Sequence, residues 1–420
     1  LLIRPPGLDA AVRRTLPNGL EVAVLPRGAF PAVEVALVVR GLPPFPDGQA
    51  AEAVLGAARQ TLFRDGRSPA RARALVEGFL FTAGGSSAYL PWYLEHVAAW
   101  THARLDEGTL KKWVKPRREA AKRRPRGLAS DGAYFRALYP SSGAPTTPDE
   151  ALAGAAPDAA RRLLGGIRPD RATLVIAGNV FATDALWNEI DALFGGWKAP
   201  AEPAAELAPA PEPEARRLLL VDFPESPTGA VTVAVRVPPA AARDPALHAI
   251  VETALEERIG LLFGPLAARW NVFTVDRPIG AALVVTAVVE APLAAGAARE
   301  LVDELEALAG APVTGAELDL FRWKAAIRAT YAADTLDEAT AALLTQVATR
   351  APPGPAETLG AALAAVTPEA LHAYAGRIFG REVVTVNGPA AMLVPALEEV
   401  DLSPVRVPVP GLAPSAAPAR

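Results

Sequence analysis

The chain has 420 residues, 51% of them hydrophobic and 6% aromatic, with a formal net charge of -4. Such a chain can bury a large core, its length suits about two to four domains, and its charge gives no global attraction to nucleic acid or acidic lipid. It contains no cysteine, which excludes disulfides, thiolate metal sites and cysteine nucleophiles.

In chain order, RRTLPNGLEVAVLP reads as alternating strand, with Asn18-Gly19 as a hairpin turn, and AVEVALVVR as a second strand. GQAAEAVLGAARQTLF is helical. GGSSAY, residues 84–89, reads as a turn leading into a strand. The following WYLEH falls one letter short of a zinc-binding HxxEH, with Trp92 in place of the first histidine. Histidines at i and i+4 share a helix face, so Trp92 removes the chelate, and His102 lies on a different face from His96. The stretch reads as a half-buried helix face. Residues 111–127, KKWVKPRREAAKRRPRG, carry nine basic residues and one acidic. Lys111, Lys112, Lys115, Arg117, Arg118, Lys122, Arg123 and Arg124 make a solvated basic helix and a candidate docking surface for an acidic protein or anionic lipid. A single aromatic and no recognised binding module weigh against nucleic acid. The stretch closes with a proline-started helix and a strand, APDAARRLLGGIRPDRATLVIAGNV.

Residues 199–214, APAEPAAELAPAPEPE, cannot form a core and read as a linker. The pattern then repeats: strands RRLLLVDFP and GAVTVAVRVP, the helix DPALHAIVETALEERIGLLF, and a closing helix and strand, TPEALHAYAGRIFGREVVTVNGP. The expected domains are 1–198 and 215–401, with a Pro-rich tail over 402–420. The expected class is α+β, two repeats that each lay helices on one face of a mostly antiparallel sheet. The most apolar run, Ala281 to Ala298, is broken by Glu290 and Pro292 and is too interrupted to cross a membrane. No signal-peptide pattern is visible, and the start at Leu1 leaves a removed leader open. No P-loop, dinucleotide fingerprint or GxSxG occurs. His248 and His372 read as isolated helix residues with solvent-facing or satisfied roles.

The order of RRTLPNGLEVAVLP, LYPSSGAPTTPDEALAG, GIRPDRATLVIAGNV, the Phe194-Gly195-Gly196-Trp197 stretch and RLLLVDFPESP resembles the pitrilysin/insulinase-type zinc peptidases, which include the mitochondrial processing peptidase. In that family an "HxxEHMLF" helix follows the second strand. Registered on Leu62-Phe63, the resemblance puts Gly56 at the first histidine, Arg59 at the glutamate and Gln60 at the second histidine. It puts the third ligand at Glu119 or Ala120, and implies a segment after Gly84-Gly85 shorter than in active members. An Arg–Tyr pair that binds substrate in active members falls on Ala267 and Thr274, with Arg269 and Phe273 nearby but out of register. Zinc needs three protein ligands and an open position, so the resemblance implies a non-catalytic member with no metal or other cofactor. It leaves two arrangements open in the metal's place: a salt bridge between Arg59 and a partly buried Glu119, or Arg59 pointing to solvent with Glu119 paired locally to Arg118 or Arg123.

The implied function is a pseudopeptidase subunit that pairs with a zinc-bearing paralogue to close a clamshell chamber and holds extended peptide at a sheet edge. The alternatives are a scaffold subunit of a larger envelope or membrane-associated assembly, and a lone anion- or peptide-binding module. The compartment is not fixed, with periplasm or cell envelope favoured over cytoplasm.

Overall fold

The computed structural model describes residues 10–27, 31–42, 49–64, 66–75, 78–140, 144–199, 209–277, 280–331, 335–350 and 356–409. They form two compact units, one of residues 1–120, 149–208 and 329–356, the other of residues 121–148, 209–328 and 357–420. The strands are β1 (Val12–Thr15), β2 (Glu21–Pro26), β3 (Ala32–Arg40), β4 (Arg71–Leu75), β5 (Gly78–Ser86), β6 (Ala172–Gly178), β7 (Arg217–Asp222), β8 (Thr228–Val237), β9 (Arg269–Val275), β10 (Ala281–Glu290), β11 (Val383–Gly388) and β12 (Val405–Arg406). The helices are α1 (Gln49–Leu62), α2 (Leu90–Ala98), α3 (Glu107–Arg123), α4 (Pro125–Leu138), α5 (Pro148–Leu152), α6 (Pro157–Gly165), α7 (Asp184–Phe194), α8 (Pro245–Phe263), α9 (Ala294–Gly310), α10 (Gly315–Tyr331), α11 (Leu336–Thr349), α12 (Ala356–Ala365), α13 (Pro368–Ile378) and α14 (Ala390–Glu399).

The first unit holds a six-stranded sheet in the order β1-β2-β6-β3-β5-β4, with β2 and β6 parallel and the other neighbours antiparallel. Asn18 closes the β1–β2 turn: its side-chain Oδ1 accepts from the Leu20 amide at 3.1 Å, and Gly19 takes the left-handed φ of 91° that the turn requires. Alternation along β3 sends Val33, Val35, Leu37 and Val39 into a core shared with α1, α2, α6 and α7. Ala36 and Val38 point the other way, onto Ala339, Leu343 and Val347 of α11. The continuous apolar run of β6 has the same cause. Leu174 and Ile176 face the main core, Val175 and Ala177 face α11, and every residue of the strand is buried.

The second unit follows the same design in the order β12-β7-β11-β8-β10-β9, with β7 parallel to both β11 and the short edge strand β12 and the other neighbours antiparallel. Val231, Val233, Val235 and Val237 of β8 face a core filled by α8, α9, α10, α13 and α14. On the opposite face α4 packs against β7 and β11, and Ser130 donates to Asn387 Oδ1 at 2.9 Å. Among the described residues, each sheet therefore carries most of its helices on one face, as the repeats imply, and one helix on the other. That extra helix comes from the opposite half of the sequence.

Two local expectations change. After Gly84-Gly85 the turn Ser87–Tyr89 leads into α2, not into a strand, because Pro91 sits where a helix start accepts proline. In the Pro-rich tail, Val405–Arg406 adds to the edge of β7 as a short parallel strand. Residues 200–208 of the linker and 410–420 of the tail lie outside the described residues.

Candidate functional site

Helix α1 is built from small residues, and Ala50, Ala51, Ala53, Ala57 and Ala58 let it lie close on the sheet. Gly56 is an exception to good helix-forming chemistry, since a mid-helix glycine costs about 1 kcal/mol relative to alanine. Its reason is Trp113 of α3. A Cβ on Gly56 would lie 2.4 Å from Trp113 Cε3, so only glycine admits the ring. One turn along α1, Gln60 Oε1 accepts a hydrogen bond from Trp113 Nε1 at 3.0 Å. Arg117 covers the indole, its guanidinium carbon 5.0 Å from the ring centroid, and donates to the Trp113 carbonyl at 3.3 Å.

Arg59 turns away from this contact. Its Nε donates to the Ala70 carbonyl at 3.3 Å and its Nη2 to the Ser68 carbonyl at 3.2 Å, which ties α1 to the segment entering β4. The expected Arg59–Glu119 bridge is therefore corrected. Arg59 spends its donors on backbone oxygens, and Glu119 is exposed, as is Ala120, so no buried carboxylate calls for the arginine. The residues at the α1–α3 junction do not fit zinc. Glycine and indole offer no ligand, and the Gln60 oxygen is taken by Trp113. Among the described residues no three His, Cys, Asp or Glu side chains gather as a metal cage.

Of the basic residues on α3, Lys111, Lys112, Lys115, Arg118, Lys122 and Arg123 are exposed, as is Arg124 just beyond it. Lys111, Lys115, Arg118 and Lys122 follow an i, i+4, i+7, i+11 spacing that makes one stripe. Arg118 approaches Asp149 at 3.8 Å. Arg117 leaves this surface to lie half-buried on Trp113.

In the second unit Ala267 follows the end of α8, where its amide donates to the Phe263 carbonyl at 2.8 Å. Thr274, on the edge strand β9, has its hydroxyl 2.7 Å from His248 Nε2, and His248 Nδ1 lies 3.1 Å from the Tyr374 hydroxyl. His248 is thus a satisfied core histidine. Burial, with the nearby Arg243 charge, pushes its pKa down to about 3, so it is neutral. The α8–α10 pair, which corresponds by element order to α1–α3, is held by ion pairs: Arg258 to Glu317 at 3.2 Å, Lys324 to Glu257 at 2.5 Å, and Arg328 to Glu256. His96 stacks on Phe63, ring centroids 5.5 Å apart, and bonds the Trp92 carbonyl at 2.8 Å, so WYLEH is a packed helix face.

Sequence reasoning missed Trp113 as a site residue, having counted it only as the lone aromatic of a basic run. The glycine facing it was the available signal.

Two mixed six-stranded sheets that share five strands in one order and differ in the edge strand, with helices in the same chain order, define the fold class of the M16-type peptidases, to which the pitrilysin and insulinase types belong. No protein-family profile and no curated protein sequence matches the chain. Among solved structures it is similar to a protease from Helicobacter pylori, at 15% identity and a TM-score of 0.77, over 90% of this chain and 99% of that one. It is similar to a peptidase M16 inactive domain from Pseudomonas fluorescens, at 15% identity and a TM-score of 0.71, over 90% and 98%. The first half of the periplasmic protease PqqL from Escherichia coli matches at 14% identity and a TM-score of 0.68, over 96% and 99%, and this chain covers 52% of whole PqqL. At these identities the likeness is one of fold.

Proposed function

We propose that the chain is a non-catalytic M16-like subunit that pairs with a zinc-bearing paralogue, closes its chamber and helps hold extended peptide substrate. The observation that carries this reading is the α1–α3 junction, where an indole packs on Gly56 and bonds Gln60, the two residues that the family resemblance sets at the histidine positions. On this reading 1–198 and 215–401 are the two repeats of a half-chamber, joined by 199–214 and followed by the tail 402–420. Ala267 and Thr274 stand at the degenerate substrate-pair positions, with the Thr274 hydroxyl turned inward to His248.

Two similarities support it. An M16 domain described as inactive shares the fold, and in PqqL a half of this size is joined to a second half in one chain. The periplasmic location given for PqqL supports an envelope compartment for this chain as well. The exposed cations of α3 provide a face for an acidic surface of the partner. The test is co-purification from the native organism with light scattering of the recovered species. A 1:1 complex with a similar-sized HxxEH protein is expected, and a chain that stays monomeric in its presence would overturn the proposal.

A further inference from the structure

Residues 56 and 60 lie on one face of α1, one turn apart, and a metal bound there would need its third ligand from whichever residue of α3 faces them. That residue is Trp113, which packs on Gly56 and bonds Gln60. Glu119 stands six positions further along α3, about 9 Å of rise and about two-thirds of a turn out of phase, beyond Pro116 within the helix, and its side chain is exposed. We infer that Trp113 occupies the third-ligand position of the degenerate metal site, and that its indole has replaced an ion as the tie between α1 and α3. This rests on reading positions 56, 59 and 60 as the counterpart of the zinc helix. It shifts the α3 register from Glu119 or Ala120 to Trp113.

The chemistry of the replacement is consistent at each contact. The ring packs against a glycine, its one N–H is spent on Gln60, and the Arg117 guanidinium lies over the ring. Positions 56, 60 and 113 thus converge on one point. Two imidazoles and a carboxylate placed at them have the composition of a catalytic zinc site, whereas two imidazoles alone would meet an indole and a guanidinium.

The test uses the full chain, with zinc content measured after dialysis and thermal unfolding followed with and without zinc. The variant Gly56→His/Gln60→His keeps Trp113 and Glu119, and should retain no stoichiometric zinc and show no zinc-dependent rise in Tm. The variant Gly56→His/Gln60→His/Trp113→Glu should hold about one zinc per chain, with Tm rising on zinc addition. Stoichiometric zinc in the first, or a folded second variant without zinc, would overturn the assignment. Should either fail to fold, Gly56→Ala decides alone. It should lower Tm in the natural chain and raise it when Trp113→Ala removes the ring, since alanine is the better helix former once space is open. A rise in both backgrounds would overturn the inference. No partner protein enters these measurements, so they stand or fall separately from the proposed pairing.

Discussion

Lowering the pH should unfold this protein early through His248. In the fold the imidazole is buried between the Thr274 and Tyr374 hydroxyls, and its pKa falls from 6.5 to about 3. The unfolded chain therefore takes a proton below pH 6.5 that the folded chain refuses, and stability falls with pH across the interval between the two values. Each pH unit inside that interval costs about 1.4 kcal/mol, so moving from pH 7.5 to 5.0 should remove about 2 kcal/mol from this residue alone. Arg243 contributes by its charge, and its guanidinium donates to the Asp276 carboxylate at 2.7 and 2.9 Å. Urea unfolding of the natural chain and of His248→Gln at both pH values isolates the effect, because glutamine retains a donor and an acceptor for the two hydroxyls. The variant should lose about 2 kcal/mol less than the natural chain on acidification. Equal acid sensitivity in the two proteins would refute the reasoning.

Glu34 should show the opposite sign. Burial, and secondarily Asp337 of α11, raise its pKa, so its contribution to stability is greatest below pH 4.5 and declines as pH rises through the folded value. Glu34→Gln is expected to raise Tm at pH 7.5 and to change it less near pH 4, as read by calorimetry at both. Arg216→Ala should cost roughly 3 kcal/mol in urea unfolding, because Glu382, fully buried and bonded to Arg216 at 2.8 Å, would be left with its charge unpaired. Adding Glu382→Gln should recover part of that loss, and a loss below about 0.5 kcal/mol in the single variant would show that the pair is worth no more than a surface one.

The strands and most helices were legible because each carries its own pattern. Val33, Val35, Leu37 and Val39 alternate, and Thr367-Pro368 and Asp244-Pro245 announce helix starts that the structure caps with the Thr367 and Asp244 side chains. What α11 covers was not legible. Ala339, Leu343 and Val347 reveal a buried stripe, but a stripe does not say which sheet it meets. The signal lay elsewhere, in the unbroken apolar run of β6, which a sheet bare on one face would not need. The candidate site was half legible. The register on Leu62-Phe63 singles out Gly56 and Gln60, and both meet Trp113 of α3, whereas Glu119, to which the family's third ligand pointed, is exposed. Arg59 is a similar case: pairing its guanidinium with the nearest expected anion overlooks the backbone carbonyls of Ser68 and Ala70, which take it instead.

The reciprocal placement of α4 and α11 makes the two halves of the sequence interdependent. Cut at the linker, the first half would carry a sheet whose Ala36, Val38, Val175 and Ala177 face water, together with a helix, α4, whose sheet is on the other fragment. The second half would have the mirror deficiency. A single nick between the halves would accordingly leave them clasped like linked hands, each fragment supplying the missing cover of the other, and neither could be lost, swapped or inherited as a free-standing module.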